Sequence, residues 1–399
     1  MFRTLLAAGV AAILGATAAS AQISGDVVRI GVLNDGTGLF QDTNGPGSVV
    51  AAGLAVEDFA RTNPGLHVEV IQADHQNRPD VGSTVARRWL DVDGVDMIVD
   101  VPNSAVGLAV NTIARDTRMT FIASATVTSD LTGSACSPNT VQWVTDSYAI
   151  GRAAARAMMS RGGKNWYFLT VDYALGHAIQ RDASEFIEAN GGRVLGASRH
   201  PLGISDFSSF LQRARASRPD VIGIANASPE AGNALKQAAE FGVNRSVQMV
   251  AFLMFVNDVH AIGLPVAQGL TLVEAFYWDM DDRTRAFSAR FLERMGRPPS
   301  ANQAGVYSST LAYLNAVARA GTDDAHRVVP EMKRVPVDDP LFGPTTIRAD
   351  GRAVHAMHLF QVKTPEESRA PWDYYRLVQT IPGDQAFRPI NEGNCPLVR

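Results

Sequence analysis

Two short loops carry hydroxyl and amide groups directly after predicted strands. The first is Pro102-Asn103-Ser104, which precedes a helix that we predict to begin near Ala105. The Ser104 hydroxyl and the backbone N–H groups of a helix start can together hold an anion. The second loop is Ser124-Ala125-Thr126, whose small residues permit close approach and whose hydroxyls and N–H groups are donors. Both loops predict an anion site, with plain helix capping as the alternative at each.

Apolar and aromatic residues follow two other predicted strands. Leu39 and Phe40 stand in a loop where a surface turn is normally polar, which suggests that they line a cleft. Tyr173 follows a buried strand, and its phenol can cover a ligand face and still donate a hydrogen bond. Ordinary packing is the alternative explanation for all three side chains.

The sequence lacks the motifs of common catalytic and metal sites. It contains no Gly-x-Ser-x-Gly elbow, no His-Glu-x-x-His pair and no glycine-rich phosphate loop that ends in Lys-Ser/Thr. His355 and His358 fall in a predicted strand, where their spacing places them on opposite faces. Asp279, Asp281 and Asp282 resemble a cation loop only loosely and fit a solvated helix start better. We expect no enzyme, no metal and no cofactor.

The N-terminus has the parts of a secretory signal peptide. Met1-Phe2-Arg3 is positively charged, Leu5 to Ala19 is apolar, and Ala19-Ser20-Ala21 is a small-residue cleavage pattern. A retained anchor is the alternative, although the apolar run is short for a spanning helix, which needs about 20 residues. We predict a mature protein that begins at Gln22 and lies free in the periplasm.

The chain has two cysteines, Cys136 and Cys395, and both lie in the part that we predict to be exported. In an oxidising compartment, a pair far apart in sequence favours a disulfide, which would tie the C-terminal tail back to the loop around Cys136. Closing so long a loop would contribute about 4 kcal/mol in the chain-entropy model. Metal binding by two cysteines without a nearby histidine is the weaker alternative.

Composition indicates an ordinary globular protein of more than one domain. The 399 residues are 46% hydrophobic and 19% charged, with a formal net charge of −4. Lysine and arginine form no basic stripe, so we expect no nucleic acid partner. The length exceeds what one core usually serves, which predicts two domains. Nothing in the sequence indicates self-association, and we expect a monomer.

Short β-branched runs alternate with amphipathic stretches, which predicts an α/β fold of two doubly wound lobes with parallel sheets. The predicted strands are Val27 to Leu33, His67 to Ala73, Met97 to Val101, Thr120 to Ala123, Trp166 to Thr170, Arg193 to Ser198, Val221 to Ala225, Val247 to Phe252 and Gly269 to Glu274. The predicted helices are Val49 to Phe59, Pro79 to Asp91, Ala105 to Arg118, Tyr148 to Arg161, Leu175 to Asn190, Phe207 to Ser217 and Glu230 to Phe241. We place the crossings between lobes near Val141 to Val144, Leu272 to Ala275 and Met357 to Val362.

Several motifs occur in a specific order and spacing. They are Asn34-Asp35-Gly36-Thr37-Gly38, Gly45-Pro46-Gly47, Ala55-Val56-Glu57-Asp58-Phe59, Pro102-Asn103-Ser104, Ser124 to Thr132, Asp172-Tyr173-Ala174-Leu175-Gly176 and Gln303-Ala304-Gly305-Val306-Tyr307. Together they resemble the Leu/Ile/Val-binding family of periplasmic ABC-transporter proteins over essentially the whole mature chain. The resemblance implies a type I periplasmic-binding fold, a ligand in the cleft between lobes, hinge closure and an ABC-transporter membrane permease as partner.

The signal peptide, the repeated βα units, the crossings and the cysteine pair together predict a division of the chain. Residues 1–21 form the signal peptide, residues 22–143 with 275–357 form lobe 1, and residues 144–274 with 358–385 form lobe 2. Residues 386–399 form a tail that is tied back to lobe 1.

Two of the loops match ligand-binding positions of the family. The loop of Ser124 resembles the family's carboxylate-holding loop, which implies contacts from the Thr126 hydroxyl and the Ala125 backbone. Tyr173 matches the family's aromatic lid. Asn226 and Tyr277 complete the predicted ligand-binding set.

The loop Leu253-Met254-Phe255 departs from the family pattern. Amino-acid-binding relatives place a carboxylate in this region to pair with the ligand's ammonium group. A buried ammonium without a counter-charge would be costly, so the apolar loop disfavours amino acids. With the neighbouring aromatic residues, it favours an aromatic or phenylpropanoid acid. The alternatives are a branched-chain amino acid or amide in the same fold, or a sensor module that presents its ligand to a membrane receptor; a secreted hydrolase is disfavoured by the missing motifs.

Overall fold

A five-stranded parallel sheet forms the frame of lobe 1. The computed structural model describes residues 23–398, so the predicted signal peptide lies outside the described residues. The strand order is β2-β1-β3-β4-β5. The strands are β1 (Val28–Asn34), β2 (Val68–Asp74), β3 (Met97–Asp100), β4 (Thr120–Ala123) and β5 (Thr140–Gln142). All residues of β3 and β4 are buried, as expected for central strands that helices cover on both faces.

Helices α1 (Gly45–Thr62), α2 (Pro79–Arg88) and α3 (Ser104–Ala114) connect these strands. Pro46 lies in the first turn of α1, where its missing N–H removes no helical hydrogen bond. The helix predicted at residues 105–118 ends earlier, at Ala114. Because β3 and β4 are neighbouring parallel strands, the short loops before α3 and after β4 lie side by side at the carboxyl edge of the sheet.

A four-stranded parallel sheet with the order β7-β6-β8-β9 forms lobe 2. Its strands are β6 (Asn165–Val171), β7 (Arg193–His200), β8 (Val221–Ala225) and β9 (Gln248–Ala251). The helices around it are α4 (Ser147–Met159), α5 (Ala174–Ala189), α6 (Ser208–Ala216), α7 (Glu230–Glu240), α8 (Val256–Ile262) and α9 (Leu264–Ala267). On one sheet face, Trp166, Phe168 and Phe252 pack as a triangle, with ring centroids 6.0 Å from Phe168 to each of the others and 6.5 Å between Trp166 and Phe252.

The last third of the chain crosses between lobes twice more. Its elements are β10 (Thr271–Glu274), α10 (Asp282–Met295), α11 (Ala301–Ala320), α12 (Ala325–Arg334), β11 (Val337–Asp339), β12 (Gly343–Ile347), β13 (Ala353–Val354), β14 (Met357–Val362), β15 (Tyr375–Ile381) and α13 (Gly383–Ala386). Strands β10, β14 and β15 form an antiparallel sheet. Helix α11 packs along α1 and so returns the chain to lobe 1. Together with β5, strands β10 and β14 are the three crossings that the sequence predicts.

A fully buried arginine joins two of these crossings. Arg352, which precedes β14, donates from Nε to the Ala353 carbonyl at 2.8 Å and from Nη2 to the Trp143 carbonyl that follows β5. Its guanidinium lies 3.6 Å from the Asp146 carboxylate and 4.2 Å from the Phe387 ring centroid. Burial lowers the pKa of Arg352 to about 10, which leaves it charged at neutral pH. Through these contacts, Arg352 holds the segment before β14 against the segment after β5, where the chain passes between the lobes.

The predicted disulfide between Cys136 and Cys395 is present, and it closes a sequence separation of 259 residues. Beside it, Arg388 of the tail donates to the Ser129 carbonyl at 2.8 Å, and its own carbonyl accepts from Arg348 at 2.7 Å. The tail is thus fastened to lobe 1 by a covalent bond and by hydrogen bonds. Within residues 23–398, no helix is both long and apolar enough to cross a membrane.

Candidate functional site

The loops after β3 and β4 are joined to each other by two hydrogen bonds. The Ala125 N–H donates to the Asp100 carbonyl at 3.0 Å, and the Thr126 hydroxyl donates to the Val101 carbonyl at 2.6 Å. Asp100 and Val101 have φ values of 86° and 57°. This left-handed backbone is strained, above all for a β-branched residue, and such strain clusters at functional sites. The two hydrogen bonds hold the strained segment in place immediately before Pro102.

Asn103 caps helix α3, whereas Ser104 is the first residue inside that helix. The Asn103 side-chain oxygen accepts from the Ala105 and Val106 N–H groups at 2.9 and 3.2 Å. Ser104 is 0% exposed, and its Oγ has no hydrogen-bond partner among the described residues. The capping explanation therefore accounts for Asn103, while the Ser104 hydroxyl is left without a structural role.

The hydroxyl of Ser124, in the neighbouring loop, is likewise buried without a partner among the described residues. Ser124 as a whole is 2% exposed. Other buried hydroxyls among the described residues, such as those of Thr145 and Thr310, also lack a partner, so the place of Ser104 and Ser124 in adjacent loops is what distinguishes them. Both hydroxyls have a proton to donate, and a carboxylate is the kind of acceptor that can take two such hydrogen bonds.

The structure changes the role expected of Thr126. A hydroxyl has one proton, and that of Thr126 is donated to the Val101 carbonyl. It cannot also be donated to a ligand carboxylate in this arrangement. Gly107 makes room for the side chain, since a Cβ at that position would lie 2.5 Å from the Thr126 hydroxyl. Thr126 therefore positions the loop, while Ser104 and Ser124 have the hydroxyls that remain available.

Leu39 and Phe40 pack against an apolar core that contains residues of both lobes. Phe40 is buried and Leu39 is half-buried, and the same cluster includes Ala227 and Phe255 of lobe 2. The Phe40 N–H donates to the buried Asp35 carboxylate at 2.8 Å, which fixes the loop. The first loop thus places an aromatic ring within the cluster that joins the two lobes.

Tyr173 and Asn226 lie after neighbouring strands of lobe 2. Tyr173 is half-buried, but its hydroxyl oxygen is inaccessible and has no hydrogen-bond partner in the described part of the chain. Burial, and secondly the negative charge of Glu230, raise the pKa of Tyr173. Asn226 Oδ1 accepts from the Ala227 N–H at 2.8 Å, and Nδ2 lies 3.3 Å from His200 Nε2. Of these two, Tyr173 has the free polar group.

Glu230 is a buried acid near Tyr173 and Asn226 that the sequence analysis did not single out as a candidate. It is 1% exposed at the start of α7, and one carboxylate oxygen accepts from the Gly203 and Ile204 N–H groups at 2.6 and 3.0 Å. Its other oxygen, Oε2, has no hydrogen-bond partner among the described residues. Burial raises the pKa of Glu230, partly offset by these N–H groups and the nearby Asn226 amide. In the sequence Glu230 is the first residue of a predicted helix, where the helix dipole is the usual explanation for an acid.

The loop after β9 is apolar, as the sequence indicates. Met254 packs in the core of lobe 2, and Phe255 packs in the cluster between the lobes. The Phe255 N–H donates to the Asp258 carboxylate at 2.8 Å, and burial raises the pKa of Asp258 to about 6. Asn257 is buried, with both amide atoms unpartnered within residues 23–398. The polar groups of this region thus come from the start of α8 rather than from the loop itself.

Tyr277 lies in the core of lobe 2, in the same cluster as Met254 and not in the cluster that contains Phe40 and Phe255. Its ring stacks on Tyr375 at a centroid distance of 4.6 Å. Its hydroxyl donates to the Trp372 carbonyl at 2.6 Å and accepts from the Tyr374 N–H at 3.0 Å. These contacts belong to the core of the antiparallel sheet, and they leave the phenol no proton for a ligand.

The side chains considered for metal binding have other roles. Asp281 caps α10 by accepting from the Thr284 N–H at 2.8 Å. His355 lies before β14 with Nε2 at 3.0 Å from the Trp143 carbonyl, and burial lowers its pKa to about 4. Over residues 23–398, no group of three or more His, Cys, Asp or Glu side chains is arranged to hold a metal ion.

Comparison with known proteins agrees with this architecture. The model of the family described as periplasmic binding protein matches residues 27–369. A Leu/Ile/Val-binding protein homologue of Brucella abortus is 23% identical, over 82% of this chain and 85% of its own. A periplasmic binding protein of Burkholderia mallei is 42% identical, with a TM-score of 0.92 over 94% of this chain and all of its own.

A second solved structure is described as a branched chain amino acid ABC transporter periplasmic ligand-binding protein, from Burkholderia xenovorans. It is 36% identical, with a TM-score of 0.83 over 93% of this chain and 100% of its own. The family match over most of the chain, and the two lobes with three crossings, show that this chain belongs to the type I periplasmic binding proteins of ABC transporters.

Proposed function

We propose that the protein captures a small carboxylate between its two lobes and presents it to the membrane permease of an ABC importer. The observation that carries this proposal is the pair of buried, unpartnered hydroxyls of Ser104 and Ser124. They lie in adjacent loops at the carboxyl edge of a parallel sheet, which is where ligands of open α/β sheets gather. Domain closure would bring lobe 2 over a ligand that is held there.

A carboxylate suits these loops for two physical reasons. Ser104 begins an eleven-residue helix, whose N-terminal N–H groups and dipole favour a negative charge. Hydroxyl hydrogen bonds to a charged group are also stronger than those between neutral groups, at about 1.5–3 kcal/mol each. The two hydroxyls would gain a partner in the ligand-bound state that they lack in this structure.

An aromatic acid is the favoured ligand. Phe40 and Phe255 belong to the apolar cluster that joins the lobes, and the Leu253-Met254-Phe255 loop adds no counter-charge for an ammonium group. A flat apolar body between these rings would bury its surface without leaving a charge unpaired. This combination supports benzoate-type or phenylpropanoid acids.

A branched-chain amino acid is the second candidate. The relative from Burkholderia xenovorans, at 36% identity, is described as a branched chain amino acid transporter protein. A branched-chain amino acid would bind the same two serines, Ser104 and Ser124, through its carboxylate. Its ammonium group would then need a hydrogen-bond acceptor close to these serines.

The wider assignment follows from the sequence and the family. We propose that residues 1–21 are removed on export and that the mature protein acts as a monomer in the periplasm. We also keep the division into residues 22–143 with 275–357 and residues 144–274 with 358–385 as the two bodies that move in closure.

A thermal-shift screen followed by calorimetry tests the proposal. The purified mature protein would be screened against aromatic acids, amino acids, aliphatic dicarboxylates and short amides. A ligand at a hundred times its Kd stabilises the folded state by about 2.7 kcal/mol. Stabilisation by aromatic acids alone supports the proposal, stabilisation by branched-chain amino acids selects the second candidate, and stabilisation only by compounds without a carboxylate refutes both.

A further inference from the structure

Three loops of lobe 2 carry buried polar atoms that have no partner in the described part of the chain. They are the Tyr173 hydroxyl after β6, Glu230 Oε2 after β8, and the Asn257 amide after β9. Strands β6, β8 and β9 are neighbours in the sheet, so the three groups lie along one edge. Of these three groups, only Glu230, when ionised, can accept hydrogen bonds but not donate them.

The Glu230 carboxylate is held rigidly by one of its two oxygens. Oε1 accepts from two successive backbone N–H groups, at 2.6 Å from Gly203 and 3.0 Å from Ile204. This anchor fixes the direction of Oε2, which is buried and accepts no well-formed hydrogen bond among the described residues, although the Asn226 amide lies close enough to lower the pKa of Glu230. A fixed acceptor of this kind discriminates strongly between ligands, because a ligand without a matching donor leaves it unpaired.

The loops at the carboxyl edges of the two sheets leave different polar groups unpartnered among the described residues. In lobe 1 these are the Ser104 and Ser124 hydroxyls, which can donate, and the nearby Asp100 Oδ2, and in lobe 2 they include the Glu230 acceptor. In an α-amino acid the carboxylate and the ammonium are attached to the same carbon, so both groups lie at one end of the molecule. A ligand that pairs with the serines of lobe 1 and with Glu230 of lobe 2 instead needs its carboxylate at one end and a hydrogen-bond donor at the other.

We propose that Glu230 is a specificity-determining residue that selects carboxylates with a hydroxyl group at the end opposite the carboxylate, as in hydroxylated aromatic acids. This inference rests on the proposed capture of an aromatic acid between the lobes. It adds that the apolar body of the ligand ends in a hydrogen-bond donor received by Glu230 Oε2. Tyr173, whose hydroxyl is also free, lies after the adjacent strand and closes over the same end of the ligand.

Calorimetric titration with three matched acids tests the inference. Benzoate, 4-hydroxybenzoate and 4-methoxybenzoate have the same carboxylate and ring, and the last has an oxygen at the same position without a proton. We expect the wild-type protein to bind 4-hydroxybenzoate at least tenfold more tightly than either other acid. This preference needs no variant, so it can be measured even if a substitution at the site impairs folding.

Glu230→Gln is the informative variant. Its amide oxygen can still accept from the Gly203 and Ile204 N–H groups, while its NH2 group replaces the free acceptor with a donor. We expect the tenfold preference to fall below threefold, with benzoate affinity unchanged. Glu240→Gln makes the same chemical change at the exposed end of the same helix and should retain the wild-type preference.

The outcomes separate the inference from the proposed function. If none of the three acids binds the wild-type protein, the aromatic-acid function itself has failed. If benzoate and 4-hydroxybenzoate bind equally well, or if Glu230→Gln keeps the full preference, aromatic-acid capture stands and the selective role of Glu230 is overturned.

Discussion

Replacing Ser104 or Ser124 by alanine should weaken ligand binding without weakening the fold. Each substitution removes one hydroxyl donor to the ligand carboxylate, a hydrogen bond worth about 1.5–3 kcal/mol. The expected loss of affinity is therefore on the order of 10- to 150-fold for each variant. Stability should remain unchanged or rise slightly, because neither Oγ has a partner within residues 23–398.

Thr126→Val, in the same loop as Ser124, should lower stability and have a smaller effect on ligand affinity than the serine variants. Valine keeps the shape of threonine but cannot donate to the Val101 carbonyl, which now receives this hydrogen bond at 2.6 Å. Leaving that buried carbonyl unpaired next to strained backbone should cost about 1–3 kcal/mol of stability. Ligand affinity should fall less than in the serine variants, since the Thr126 proton is already committed.

Two assays on each variant separate these effects. Isothermal titration calorimetry with the best ligand of the screen measures affinity, and urea unfolding of the ligand-free protein measures stability. Ser209→Ala, at an exposed position on α6, is the matched control and should change neither quantity. Wild-type affinity in both serine variants, or a loss of affinity in Thr126→Val larger than theirs, would refute the assignment of the carboxylate site.

Substitutions at three further places in the fold test the framework around the site. Replacing Cys136 and Cys395 by serine should lower the unfolding free energy by up to about 5 kcal/mol, because the disulfide closes a loop of 259 residues; an unaltered urea curve would contradict this. Burial raises the pKa of Asp100 to about 7, so the folded state keeps a proton that the unfolded chain, with a pKa of about 3.9, releases, and stability falls as pH rises from 4 to 7. Asp100→Asn should remove this loss, so the stability of the variant relative to wild type should rise by about 2–3 kcal/mol from pH 5 to pH 8. Unfolding measured at both pH values checks this, and an equal difference from wild type at the two values would count against it. Met254→Glu should destabilise the protein by about 3 kcal/mol or more without admitting leucine, because Met254 lies in the core of lobe 2, whereas Met254→Leu should melt within a few degrees of wild type.

Secondary structure was predictable where a strand or helix has a distinct pattern. Strands β4 and β8 have the predicted bounds, because β-branched and aromatic residues fill them and turn residues end them. Helix α11 was not predicted, although it is the longest helix described. It is buried on nearly all sides and therefore lacks the polar stripe that identifies a surface helix.

The candidate site was predictable at the level of loops rather than atoms. Hydroxyl residues in loops after strands singled out Ser104 and Ser124 as anion-binding candidates; the structure shows that both are buried, and their contact with a ligand stays a prediction. Glu230 was missed because an acid in the first turn of a helix is usually explained by the helix dipole. Tyr277 was included because an aromatic residue is as compatible with a ligand cleft as with the core of a sheet, and the sequence does not distinguish the two.

The sequence by itself determined the α/β class, the two lobes, the disulfide partners and the membership of the family, because each of these leaves a local pattern or a motif of fixed spacing. Only the tertiary structure decided which polar groups are free to bind a ligand. Thr126 and Ser124 look equivalent in the sequence, yet the Thr126 proton is taken by a carbonyl 25 residues away, while the Ser124 hydroxyl is left over. A hydroxyl proton goes to whichever acceptor the fold brings within 3 Å, and that competition between distant groups is settled in three dimensions.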